Sequence, residues 1–207
     1  HVTWSPGGVW LGCAGRGSLW IFDWRPAFTS YVRHYQDKRV CTCLTVTDDF
    51  AAVGFYSGLI LVHNHAARGV RPREFHHSEV VESVMFSHAH LGAMAANGEF
   101  RVWNLRRGRA ASLVMRHLSH AAWGGRDLDT LITVCDDDNV VHAWLGRPPY
   151  GLRRCWGTVG RADAVAVHND TVSLATGAGT IETHDALRGK VLWEAPLAHG
   201  LVTDLVY

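Results

Sequence analysis

The stretch "GEFRVWNLRRG", residues 98–108, starts on a glycine, runs through an alternating strand to Trp103, and closes in a basic turn ending on a second glycine. Alone it is one arm of a hairpin. What it means for the fold depends on whether it recurs. Related segments lie at 17–23 ("GSLWIFD"), 58–64 ("GLILVHN"), 139–145 ("NVVHAWL") and 179–185 ("GTIETHD"). The anchors Gly17, Gly58, Gly98, Asn139 and Gly179 follow one another at intervals of 41, 40, 41 and 40 residues. A fixed period near 40 marks a repeat architecture.

Each repeat has the same internal order. A short apolar run precedes the anchor: "VWLGCAG", "FAAVGF", "HLGAMAA", "TLITVC", "TVSLATG". Another lies before that: "HVTWS", "VCTCLTV", "VESVMFS", "HAAWGG", "DAVAVH". After the anchor strand comes a turn and a more polar fourth segment, as in "TSYVRHY", "ASLVMRH" and "KVLWEAP". Four short strands separated by Gly, Asn and Asp turns form an antiparallel meander. No stretch holds a 3.6-residue apolar period over three turns, so helices are not expected.

One such meander cannot bury both its faces. Radial stacking gives each sheet two neighbours, which is the logic of a β-propeller. The expected fold is all-β, a propeller of four-stranded antiparallel blades, with about five blades in the chain. Their bounds fall near 1–39, 40–80, 81–120, 121–161 and 162–200, with 201–207 starting a sixth.

The repeats resemble those of the WD-repeat family. In that family a Trp-Asp pair closes the third strand; here the matching pairs are Phe22-Asp23, His63-Asn64, Trp103-Asn104, Trp144-Leu145 and His184-Asp185. The family also places a His ahead of the first strand. "HHSEVVESVMF" matches this, with His77 before Val81, Val84 and Phe86. The Asp that precedes the family's anchor Gly appears as Asp138 and, conservatively, as Asn97, and is replaced at Arg16, Ser57 and Ala178. The resemblance implies a non-catalytic protein–protein interaction scaffold or recognition module of a multi-subunit complex, with the substrate receptor of a ubiquitin ligase as one specialised form. A WD-type ring, which these repeats resemble, takes about seven blades of about 40 residues. An incomplete ring is therefore expected, and the remainder of the propeller becomes a partner supplied from outside these 207 residues. The last repeat, "DALRGKVLW" at 185–193, is also similar to the repeats of quinoprotein-type propellers, whose functions would be those of an enzyme or assembly factor in an oxidising compartment.

Composition narrows the classes. Hydrophobic residues make up 47% and charged residues 19%, as in a chain with a packed core. A formal charge of +1 supplies no global field toward nucleic acid or an anionic membrane, and neither is an expected partner. No apolar run approaches the roughly 18 residues of a membrane-crossing helix. Five scattered cysteines (13, 41, 43, 135, 155) do not form a disulfide framework, which points to a reducing, cytoplasmic or nuclear setting.

The residues with reactive chemistry fall at structural positions. The pairs His63/His65, His76/His77 and His88/His90 lack zinc-ligand spacing, and the "DDD" at 136–138 falls in a tight turn without a calcium loop. "HNHAARG" at 63–69 lies in a strand and its turn rather than on a metal-nuclease scaffold. There is no nucleophile elbow and no phosphate-cradling loop. Catalytic residues, metals and cofactors are accordingly not expected. His63 and His184, which stand in the Trp position, are expected to be at least partly buried. Trp103 and Trp144 are expected between sheets, and Trp4, Trp20 and Trp123 in the core.

Partner recognition is expected at one end of the ring. In the geometry that the resemblance implies, the turns at 33–39, 71–77 and 115–120 would bring Arg33, Arg39, Arg71, Arg73 and Arg116 together with His76, His77, His117 and His120, beside Arg16 and Tyr56. Arginine forks pair bidentately with carboxylates, so other proteins, and acidic peptide segments in particular, are the expected ligands.

Overall fold

The computed structural model describes residues 1–15, 18–23, 35–36, 39–67, 70–87, 90–106, 111–124, 130–135, 139–145, 150–158, 160–197, 202 and 205. Its elements are twenty strands, and there is no helix among the described residues. Sheet one holds β1 (Val2–Trp4), β2 (Trp10–Gly15), β3 (Ser18–Asp23) and β4 (Tyr35–Gln36). Sheet two holds β5 (Cys41–Val46), β6 (Phe50–Phe55), β7 (Leu59–Asn64) and β8 (Arg73–His76). Sheet three holds β9 (Val81–Ser87), β10 (His90–Ala95), β11 (Phe100–Asn104) and β12 (Ala111–Met115). Sheet four holds β13 (Leu118–Gly124), β14 (Thr130–Cys135), β15 (Val140–Leu145) and β16 (Leu152–Gly157). Sheet five holds β17 (Ala162–His168), β18 (Thr171–Thr176), β19 (Thr180–Asp185) and β20 (Val191–Pro196). Every sheet is a four-stranded antiparallel meander whose strands pair in chain order.

The anchors explain the period. The four described anchors stand one or two residues ahead of a third strand and have left-handed backbone: Gly58 (φ 79°), Gly98 (φ 72°), Asn139 (φ 55°) and Gly179 (φ 81°); Gly17 lies outside the described residues. Glycine meets that requirement without strain, and asparagine tolerates it. At Gly58 and Gly179 the turn is closed by N–H donation to Phe55 O (3.0 Å) and Thr176 O (2.9 Å). Gly58 has a second constraint: a Cβ there would lie 2.6 Å from the His77 carbonyl, whereas at Gly179 it would meet nothing within 4 Å.

The chain forms two compact units, His1–Asn97 with Arg101–Ser112, and Gly98–Phe100 with Leu113–Tyr207. In the first, sheets one and two pack through Leu19, Ile21, Val46, Val53, Leu59 and Leu61. Sheets two and three pack through Ile60, Val62, Phe75, Val84, Leu91 and Trp103. Strand β7 is thus buried on both faces, Leu59 and Leu61 toward sheet one and Ile60 and Val62 toward sheet three. Its unbroken apolar run "LILV" follows from that, since a strand covered on both sides has no polar face. In the second unit Ile132, Val134, Val141 and Ala143 pack against Ala162, Val172, Leu174 and Ala186.

In sheets three and five the residue closing the third strand packs on the last strand of the preceding sheet. Trp103, 1% exposed, lies against Phe75 of β8 with ring centroids 5.8 Å apart, and His77 meets it edge-on at 6.1 Å. In the second unit His184 takes this position and its ring lies 5.6 Å from Trp156 of β16. His184 is buried, and its Nε2 is 2.9 Å from the Glu182 carboxylate, itself buried two residues away on the same face. His63 is also buried.

Several expectations are corrected. Trp144 is only half-buried; its indole N–H donates to Thr133 Oγ1 at 2.8 Å within its own sheet. Trp123 is buried, but Trp4 and Trp20 are 47% and 40% exposed. Side chains alternate along a strand, so with Leu19 and Ile21 committed to sheet two, Trp20 turns away from it and stacks near Phe22 instead. Sheet four begins at Leu118, inside the third repeat as bounded at 120. His117, at φ 60°, turns the chain so sharply that only two residues separate β12 from β13.

Two stability differences follow from this packing. Trp103→Ala should lower unfolding stability by about 3–5 kcal/mol, while Trp20→Ala should change it by less than about 1 kcal/mol, as followed by denaturant melts. Gly58→Ala should be the more damaging of two anchor substitutions. Both Gly58→Ala and Gly179→Ala carry a left-handed backbone penalty of about 1–3 kcal/mol, but only the former also forces a carbonyl aside.

Candidate functional site

Within sheet two, the polar residues singled out in the sequence do not converge on one end. Strand pairing decides this: in sheet two, Leu59 pairs with His76 and Val62 with Arg73. The segment 71–77 is therefore not a turn: its residues 73–76 form β8, which runs alongside β7. His76 lies beside the Gly58 turn, whereas Arg73 and the adjoining Arg71 lie at the other end, near Asn64. Arg16 and Arg33 fall outside the described residues.

Of the expected set, the end of sheet two beside the Gly58 turn keeps Arg39, Tyr56 and His76. Tyr56 is 66% exposed, and its backbone N–H donates to Val40 O at 3.0 Å. The Arg39 guanidinium lies 5.6 Å above the Phe55 ring, whose quadrupole attracts the cation. His76 is exposed and its carbonyl accepts from Arg101 Nη1 at 3.4 Å. Arg101 is a cation at this end that the repeat pattern alone did not single out. His77 is no surface residue: it is buried, its N–H donates to Gly58 O at 2.8 Å, and its Nδ1 accepts from Ser78 N–H at 2.9 Å. It fixes the turn rather than meeting a partner.

In the second unit Arg116 and His117 are exposed in the connection between β12 and β13. Arg116 Nε lies 3.3 Å from the Glu99 carboxylate, which is only 7% exposed. Much of its charge is thus answered within the protein. His120 is half-buried within β13, paired opposite Val134.

At the other end of sheet two, Arg71 and Arg73 line a cleft together with Arg106, which follows β11 of sheet three. Arg106 was not expected to share a surface with Arg71 and Arg73. The signal was present in the sequence: both "HAARGVRP" and "LRRG" connect a third strand to a fourth, and such connections share one end of a meander.

The titratable groups show structural burial rather than assembled chemistry. Among the described residues no three His, Cys, Asp or Glu side chains gather as metal ligands. His88 and residues 136–138 lie outside that description. Burial lowers the pKa of His65, whose Nε2 is 3.0 Å from Thr47 O. All five cysteines are free, and burial pushes the Cys43 thiol up to about 11, so it stays protonated and inert at neutral pH.

No protein-family model matches the sequence, and no curated protein does. Solved structures do match the fold. A chain of the mitotic checkpoint complex superposes with a TM-score of 0.79 at 16% identity, over 100% of this chain and 65% of that one. The computationally designed Ika8 protein gives 0.75 at 18% identity, over 100% and 64%. The β-propeller domain of Myceliophteria thermophila Cps50 (Swd1) gives 0.73 at 11% identity, over 98% and 74%. The chain thus spans just under two thirds of the length of the first two. With its five antiparallel four-stranded sheets, the fold is that of a β-propeller.

Proposed function

We propose that the chain is a WD-repeat-type interaction module, a non-catalytic part of a multi-subunit complex that docks protein partners, with the rest of its propeller contributed by sequence beyond these residues. The observation that carries this reading is the end of sheet two. Tyr56 and Arg39 stand exposed on turns fixed by backbone hydrogen bonds and by the Phe55 ring. Tyrosine and arginine dominate the energetics of protein interfaces, and a rigid turn loses little entropy on binding. The resemblance of the repeats and the similarity to a chain from a complex support it further. Acidic segments are the preferred ligands, and an intracellular, reducing setting is consistent with five free thiols. A substrate-receptor role in a ubiquitin ligase is the specialised form of this proposal.

The test is affinity capture with the full-length protein carrying Arg39→Glu and Tyr56→Ala. Arg188→Glu with Lys190→Glu, exposed in the β19–β20 connection, serves as the matched control. The first variant should lose its partners and the control should keep them. Rim charge steers association, so capture by the wild type should weaken with added salt. Loss in the control alone, or equal capture by both, would contradict the proposed face.

A further inference from the structure

The cleft at the opposite end of sheet two has a volume of about 620 Å³, within the range of ligand-binding clefts. Its lining carries three guanidiniums, Arg71, Arg73 and Arg106, against one carboxylate, Asp49. Arg73 is held in place: it donates to the Leu105 carbonyl and its guanidinium lies 5.4 Å from the centroid of the Phe75 ring. That contact ties β8 of sheet two to the chain just after β11 of sheet three. It fixes the separation of the two walls.

Arg71 and Arg106 are different. Both are exposed, and among the described residues neither guanidinium forms an ion pair. Their backbones are nonetheless ordered. Arg71 precedes Pro72, which restricts it to extended geometry, and the Arg106 N–H donates to Asn104 Oδ1 at 2.8 Å. Two preorganised and unanswered cations therefore face one cleft, from connections belonging to different sheets.

The wall between them is apolar, formed by Phe50, Val62 and Leu105, with Val70 47% exposed at the rim. A small anion could meet one fork but would leave this surface and most of the volume unused. An extended peptide could do both, placing carboxylates on the two arginines and an apolar side chain on the wall. The Asn64 side chain, whose Oδ1 accepts from Ala67 N–H at 3.0 Å, keeps an amide donor for the peptide backbone.

We propose that this cleft is a second docking site, taking an extended acidic segment of a protein partner with an apolar residue between its carboxylates. It rests on the interaction reading above but lies on a different surface. Arg71 and Arg106 bind the carboxylates; Arg73 is a positioning residue that holds the walls.

The experiment is fluorescence anisotropy on the full-length protein with a fluorescein-labelled Gly-Asp-Leu-Glu-Phe-Glu-Gly peptide. Two comparison peptides are used, one with Asn and Gln for the acids, one with Ser for Leu and Phe. The acidic–apolar peptide should bind best, and added salt should weaken it. Arg71→Glu with Arg106→Glu should reduce its affinity by about tenfold or more, and Arg→Lys at both should restore part of it, because a point charge remains without the fork. Arg188→Glu with Lys190→Glu should leave it unchanged. Wild-type affinity in the double reversal would overturn the site. Equal binding of the Ser-substituted peptide, or displacement by inorganic pyrophosphate at equal concentration, would overturn the peptide assignment in favour of charge alone. If capture of partners depends on Arg39 and Tyr56 while the cleft variants bind the peptide like wild type, only the cleft fails. If no capture depends on Arg39 and Tyr56, the face proposed above fails instead.

Discussion

The packing of sheets three and five turns on one contact, between the residue that closes a third strand and the last strand of the sheet before it. Sheet three makes it with Trp103 on Phe75, and sheet five with His184 on Trp156. In the second case the smaller ring closes the third strand and the larger ring faces it from the neighbouring sheet, so an aromatic pair is kept although the residues exchange size. The imidazole carries two ring nitrogens where a Trp carries one N–H, and the buried Glu182 carboxylate meets one of them, Nε2, at 2.9 Å. This explains how a repeat can carry His in place of Trp at this position and still stack. The stacking in turn sets the turns at the sheet ends, where any partner must be met.

The period was legible because it has a backbone cause. Left-handed turns at Gly58, Gly98, Asn139 and Gly179 need residues that few others can replace, and those residues stand out in a sequence. Strand order followed directly. The placement of surface residues was less legible for a related reason: β8 has only four residues, is partly exposed and mostly polar, so "RPREFHH" reads as a turn although four of its residues form that strand. That one assignment moved Arg71 and Arg73 to the wrong end of the sheet. Alternation also misled at Trp20, since a single apolar strand does not reveal which of its two faces is covered. The ring of His77, by contrast, could be assigned to neither surface nor core from sequence, because its role depends on Trp103 more than twenty residues away.

The two ends of sheet two offer different electrostatic surfaces from a chain with a net charge of only +1. One carries an arginine stacked on a phenylalanine beside an exposed tyrosine; the other gathers three arginines around an apolar wall. Connections of a meander sort by parity, first-to-second and third-to-fourth at one end, second-to-third and sheet-to-sheet at the other. Charge that looks scattered along the sequence is thereby segregated in space. Low overall charge and locally strong fields are compatible, and only the local field matters within a Debye length of about 8–10 Å.

The most direct measurement is a double-mutant cycle on the closing contact, with Phe75→Leu and Trp103→Leu made singly and together and unfolding free energies compared. Packing of the closing residue on the preceding sheet predicts a coupling of about 0.5–1.5 kcal/mol beyond the separate losses. Strict additivity, to within about 0.3 kcal/mol, would show that the two rings do not depend on each other and would contradict the scheme by which the repeats stack.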